Sequence, residues 1–207
     1  MKRLRLLSIS LFAVLILVVV LSACTADDLK APPSVQEQPV VSRIIYQNDH
    51  SSRIAETSAC GTYTIALETI TQVGSNYEWV WSVTNPNPGN GNNGTVQNLS
   101  HWGMQFGSCF SWSNVVGAAY STNGVNWTSF TPSYSVDPSQ NCMTTPVLKF
   151  DYGTTGTNST YYKLILNADY QPGYVPGYYK SGQRTGCCIF NFNGVGCPGG
   201  PGEVGER

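Results

Sequence analysis

Between Cys60 and Cys197 the apolar side chains recur at every second position, and no stretch of any length carries the three-to-four spacing of an amphipathic helix. A period of two puts alternate side chains on opposite faces of an extended chain, so this block can bury its apolar residues only as strands. In 62–71, Tyr63, Ile65 and Leu67 share a face; beyond Gly74-Ser75-Asn76, Tyr77, Trp79, Trp81 and Val83 share another. The two runs predict a β-hairpin. In 99–106, Trp102, Met104 and Phe106 align, while 115–121 and 125–130 flank Asn123-Gly124, the strongest short hairpin signal. Further short strands are expected at 147–150, 161–170, 177–181 and 187–192. Strands of this number, joined by Gly, Asn and Pro turns, predict an all-β domain over 60–197. Its expected architecture is an antiparallel β-sandwich, with a barrel as the alternative.

That domain has few charges. Lys, Arg, Asp and Glu make up 11% of the 207 residues, against about 25% in ordinary soluble domains. Residues 60–197 hold only Lys149, Lys163, Lys180 and Arg184 against Glu68, Glu78, Asp137, Asp151 and Asp169. Such a chain forms neither a coiled coil nor a highly charged disordered tail, and a formal net charge of -1 argues against nucleic acid as a partner.

At the start of the chain, Lys2, Arg3 and Arg5 precede an unbroken apolar run over 11–21, followed by Ser22 and Ala23. This order describes a secretory signal, too short to be read first as a permanent span. Leu21-Ser22-Ala23-Cys24 resembles the lipobox of bacterial lipoproteins. The resemblance implies that 1–23 is a signal peptide cut before Cys24, and that Cys24 carries the diacylglyceryl group and an acylated, palmitate-type amino terminus. Two or three acyl chains hold a bilayer firmly, whereas one binds marginally at about 0.8 kcal/mol per buried CH2. With Lys2, Arg3 and Arg5 gone, 8 Lys or Arg would face 12 Asp or Glu, so the membrane is held through the lipid and not through a basic patch. Asp27 and Asp28 resemble the acidic stretch that sends some Gram-negative lipoproteins to the outer leaflet. The expected location is therefore the cell envelope, at the outer membrane or cell surface. Residues 24–59 are expected as a flexible tether reaching about 33 Å, although Val40, Val41, Ile44, Ile45 and Tyr46 are apolar enough to form a docked strand. Pro198-Gly199-Gly200-Pro201-Gly202 makes 198–207 an expected disordered tail.

Six cysteines remain beside Cys24: Cys60, Cys109, Cys142, Cys187, Cys188 and Cys197. An even number in an exported chain predicts three disulfides. Adjacent strand residues point to opposite faces, so Cys187 and Cys188 should reach different partners. The favoured pairing ties Cys60 to the C-terminal cluster, with Cys197 as one candidate, and Cys109 to Cys142 or to that cluster. The spacing does not suit zinc, and no metal or other cofactor is expected.

Catalysis finds little support, and the chain is not expected to be an enzyme. His101 is the one histidine in 60–197 and lies in Leu99-Ser100-His101-Trp102, with Cys109 shortly after. This resembles a Leu-Ser-His-Trp signature of uncharacterised secreted β-domains, a resemblance that implies no activity. On a regular strand Ser100 would point away from His101, which argues against a serine triad. The five acids carry no glycosidase motif, although two could converge in space. The oxygen-rich segment 151–158 lacks the carboxylates of an EF-hand loop and reads as a turn. The segment 120–127 resembles the Asp-box hairpin of sialidase-like propellers, but it occurs once, with Asn123 in place of Asp, and reads as a hairpin with a packing Trp127.

Aromatics supply the binding expectation. Tyr170, Tyr174, Tyr178 and Tyr179 surround a doubled Pro-Gly, where a loop should expose flat rings suited to sugars and other neutral ligands. Trp102 and His101 join them as candidate ligand-binding residues, with burial at the core edge as the competing role. The expected function is a lipid-anchored, non-catalytic binding or adhesion module, with glycans a candidate partner class. A structural envelope lipoprotein contacting another envelope protein is the alternative, and a hydrolase ranks below both. An exposed aromatic cleft would favour the first, and a flat apolar patch along an edge strand the second.

Overall fold

A computed structural model describes residues 42–47, 56–57 and 63–197. The signal, Cys24, Cys60 and the tail 198–207 lie outside the described residues. Twelve strands follow one another: β1 (Ser42–Gln47), β2 (Glu56–Thr57), β3 (Thr64–Val73), β4 (Asn76–Thr84), β5 (Leu99–Met104), β6 (Val115–Ser121), β7 (Thr128–Phe130), β8 (Tyr134–Ser135), β9 (Val147–Phe150), β10 (Ser159–Leu166), β11 (Pro172–Ser181) and β12 (Cys187–Val195). They form two antiparallel sheets. One has seven strands in the order β1-β3-β4-β10-β6-β7, with β2 also paired to β3; the other has five in the order β12-β11-β5-β9-β8. The domain is an all-β sandwich rather than one closed barrel. Two stretches of the expected tether, β1 and β2, are strands on β3. The apolar residues around 44 thus form the docked strand that was the alternative for this segment.

Alternation explains most of the inner faces. Trp79, Trp81 and Val83 of β4 are fully buried, as are Tyr162, Leu164 and Leu166 of β10. On β3 the alternation slips: a bulge between Leu67 and Thr69 leaves Glu68 unpaired, so Ile65 and Leu67 face the core before the bulge and Ile70 after it. One extra residue shifts the parity of every later side chain. From the other sheet, Trp102 stacks on Phe150 at 4.7 Å and meets Tyr162 and Phe192 edge-on. Trp81 donates its indole N–H to the carbonyl of Asn193 at 2.9 Å, and the Tyr63 hydroxyl contacts Ser181 Oγ at 2.8 Å, so polar ties also cross between the layers.

The β3–β4 hairpin turns through Gly74-Ser75, with Val73 opposite Asn76 and Gly74 at φ 61°. At Asn123-Gly124 the expected two-residue hairpin is a longer loop, because strand pairing begins only at Tyr120 and Thr128. Ser121 Oγ accepts the N–H groups of Asn123 and Gly124, and Asn123 Oδ1 accepts those of Val125 and Asn126. Side-chain oxygens thus serve backbone donors that a tighter turn would have paired in the ladder. Trp127 lies under the ammonium of Lys163, 4.5 Å from the ring centre, and Lys163 also pairs with Glu78 at 2.6 Å.

Of the cysteines, Cys109 joins Cys197 and Cys142 joins Cys187, with Cα separations of 5.7 and 5.9 Å. Cys188 is also disulfide-bonded. The option of Cys109 with Cys142 and that of Cys60 with Cys197 are therefore corrected. The reason is topological: Cys109 follows β5 and Cys197 follows β12, and Gly107 N–H reaches the Val195 carbonyl at 3.2 Å, which brings these two chain ends together. On β12, Cys188 packs against the inter-sheet core while Cys187 joins a small cluster with Met143, Val147 and Tyr178 on the opposite face.

Candidate functional site

The outer face of the five-stranded sheet carries the second cluster. Alternation sends Trp102 and Met104 of β5 inward and His101 outward; on β11 it sends Val175 and Tyr179 inward and Tyr178 and Lys180 outward. The connection from β8 to β9 contributes Asp137 and Met143, both buried, and Cys142–Cys187 fastens it to β12.

Under this flap lies a polar network. His101 Nε2 is 2.8 Å from Asp137 Oδ2, and both residues are buried. The Tyr178 hydroxyl donates to the same oxygen at 2.8 Å. Asp137 Oδ1 accepts the Ser139 N–H at 2.9 Å and the Ser139 hydroxyl at 2.7 Å. A carboxylate only accepts, so the Nε2 proton stays on His101, and its Nδ1 is left to accept from the Ser100 hydroxyl at 3.3 Å. Lys149 reaches Asp151 at 2.8 Å and Asp137 at 3.6 Å, and Asp151 lies 3.9 Å from His101 Nδ1.

Electrostatics follow from this arrangement. Burial pushes the Asp137 carboxyl up, but the two Ser139 hydrogen bonds, the Tyr178 hydroxyl and His101 together hold it well below the usual carboxylate range. Burial and the Lys149 charge push His101 below its ordinary value, against the opposing pull of Asp137 and Asp151. Burial and the Asp137 carboxylate raise the Tyr178 hydroxyl, which keeps it a donor.

Ser100 reaches His101 through an irregularity that alternation does not reveal. Lys180 pairs with His101 and Ser181 with Leu99, so Ser100 is the extra residue of a β-bulge. The expectation that Ser100 points away from His101 is corrected: bulges re-aim side chains.

Beside the network, and sharing Ser139 with it, opens a groove of about 550 Å³. Residues 138–141 wall one side, and 180–183 with Gly186 and Cys187 wall the other. Gln140 spends both ends of its amide on the Met143 backbone, so it shapes the loop. Lys180 is half-buried and is the one charged residue in the lining among the described residues.

The aromatic candidates do not form a platform. Tyr170, Tyr178, Tyr179 and Trp102 are buried, as is His101; of the four tyrosines only Tyr174 is exposed, at 42%. The expected loop is an interior strand: β11 lies between β12 and β5, and its Pro-Gly pairs sit in the ladder. Pro176 is tolerated there because β5 ends at Met104, opposite Gly177, and only its carbonyl is required, by Gln105 N–H at 2.8 Å. Gly177 lies against Phe190 and Phe192, where an added Cβ would fall within 3.0 Å of both rings. Tyr170 accepts from Ser111 N–H and from Asn114 Nδ2 and packs on Phe110.

Sequence reasoning overlooked other residues. Trp112 stacks on Tyr134 at 5.5 Å, both partly exposed, at the end of a stack through Phe106 and Phe110. Trp112 opens a short 3-10 turn, Trp112–Asn114, two residues after Phe110, and such a turn has no two-residue signature. Asp137-Pro138-Ser139 was legible as a side-chain-to-backbone turn, but nothing local ties it to His101. Exposed large apolar residues lie on three edge strands, Ile189 on β12, Ile44 on β1 and Tyr134 on β8. Among the described residues no helix is long and apolar enough to cross a membrane.

Comparison with known proteins gives no match: no family model, curated protein or solved structure matches the chain.

Proposed function

We propose that this chain is an extracytoplasmic binding module, held on the bacterial envelope by lipid at Cys24, whose β-sandwich takes a glycan in the groove between 138–141 and the β11–β12 turn. The observation that carries this reading is the groove itself: about 550 Å³, open, with the Asn141 and Gln183 amides, which make no hydrogen bond among the described residues, set beside Lys180 and the apolar surface of Pro138 and Cys187. A polyhydroxylated ligand replaces the water hydrogen bonds of such a lining, whereas an apolar ligand would strand them. The test uses the full chain with Cys24→Ala, which removes the lipid, applied to a glycan array alongside Asn141→Trp, which fills the groove from an exposed position. The expected result is retention of a discrete glycan set by the first and none by the second at equal thermal stability. Binding that survives Asn141→Trp, or no retention by either protein, contradicts the groove reading.

One observation favours a second reading, ester or amide hydrolysis: Ser100, His101 and Asp137 form a hydrogen-bonded series. Binding is the better reading because the groove lining includes neither Ser100 nor His101, and because the Asp151 carboxylate beside Nδ1 would oppose a developing oxyanion. A fluorophosphonate probe is expected to leave Ser100 unmodified on peptide mapping. Labelling at Ser100 that vanishes in Ser100→Ala would decide for hydrolysis.

A further inference from the structure

We infer that the glycan bound in this groove carries a carboxylate, and that Lys180 reads it. The inference rests on the groove reading above and adds the ligand's charge. Three lysines are described. Lys149 meets Asp151 at 2.8 Å and Lys163 meets Glu78 at 2.6 Å. Lys180 makes no ion pair among the described residues, although it is half-buried on β11 and lines the groove. Among the described residues no carboxylate lines the groove with it; the nearby acid, Asp137, is turned under the flap and committed to His101, Tyr178 and Ser139.

A lysine half-buried at the wall of a groove presents its charge beside low-dielectric protein surface, where an anion placed against it gains more than in open water. One ammonium matches the single charge of a carboxylate. A phosphate dianion is ordinarily met by several cations or by the forked donors of arginine, and Arg184 instead directs Nη1 to the Asn90 carbonyl at 3.3 Å. Asn141 and Gln183 also line the groove, and their amides make no hydrogen bond among the described residues. They offer donors and acceptors for sugar hydroxyls beside the carboxylate. The chemistry points to an acidic sugar unit of the uronic type.

The test titrates the full Cys24→Ala chain with a glucuronic-acid-terminated oligosaccharide, its carboxyl-reduced counterpart, and the same sugar bearing a phosphate. The acidic oligosaccharide should bind about tenfold to a hundredfold more tightly than the carboxyl-reduced form, as expected of one hydrogen bond to a charged group. The preference should shrink as salt is raised. Lys180→Gln should equalise the two affinities without changing that for the reduced form, and Lys180→Arg should keep the preference. Equal affinities in the unsubstituted chain, with binding still abolished by Asn141→Trp, would overturn the carboxylate inference and leave the groove reading standing. Tighter binding of the phosphate would also overturn it. Failure of all three ligands would remove both.

Discussion

Asp137→Ala should cost the folded domain about 3–5 kcal/mol, because buried donors lose a charged acceptor. The substitution takes the acceptor from four donors, of which His101 Nε2–H and the Tyr178 hydroxyl are buried, whereas the N–H and hydroxyl belong to exposed Ser139. Each buried donor left without an acceptor costs about 1–3 kcal/mol, partly offset because the buried carboxylate also goes. Asp151→Ala is the matched control. Its side chain is 66% exposed, and its pairing with Lys149 should contribute no more than about 1 kcal/mol. Urea midpoints of the two variants should differ widely, and equal shifts would mean that the network does not hold the flap. His101→Ala removes one donor rather than an acceptor and should be milder.

The same network sets an acid response. Stability rises with pH wherever the unfolded chain binds more protons than the folded one. His101 titrates lower when folded than its ordinary value of about 6.5, because burial and Lys149 disfavour the imidazolium. Its contribution is therefore complete above about pH 6.5 and is lost as pH falls through the folded value. Asp137 is likewise depressed below about 3.9, so its contribution is present above that pH and lost on further acidification. Melting temperature should fall in two stages, and His101→Gln, which keeps a side-chain N–H, should remove the upper one.

Removing Cys142–Cys187 should be nearly as costly and should also disable the groove. The bridge spans 45 residues, which the chain-entropy model converts to about 4 kcal/mol. Cys109–Cys197 spans 88, and because the dependence is logarithmic the gain is only to about 4.5 kcal/mol. Their positions separate them. Cys142 anchors the flap that supplies the 138–141 wall, and Cys187 lines the groove, whereas Cys109–Cys197 ties the end of β12 to the segment after β5. Thermal melting should therefore rank Cys142→Ala/Cys187→Ala close to Cys109→Ala/Cys197→Ala. Glycan retention should be lost in the first pair at a temperature where both are folded. Retention in both would show that the flap needs no staple.

Local pattern carried the strands well. Trp79, Trp81 and Val83 reveal their buried face directly, since a period of two is a property of the chain alone. It failed wherever a neighbour intervened. Pro172-Gly173 and Pro176-Gly177 read as turns, yet in β11 the close rings of Phe190 and Phe192 favour glycine at 177, and the end of β5 makes the proline tolerable. Tyr178 and Tyr179 looked like a binding surface for the same reason. Ser100 was misdirected because a bulge is set by the pairing of two distant strands.

The sequence by itself determined the fold class, the inward residues of β4 and of the first half of β3, and the opposed aims of Cys187 and Cys188, all of which follow from alternation along a single strand. Only the tertiary structure decided which cysteines pair, that Asp137 meets His101 across 36 positions, and that Lys180 stands in a groove beside residues 138–141. These contacts join segments that share no local period. They depend on strand order in the sheets and on how one connection folds back over the outer face, and nothing in the spacing of residues encodes either.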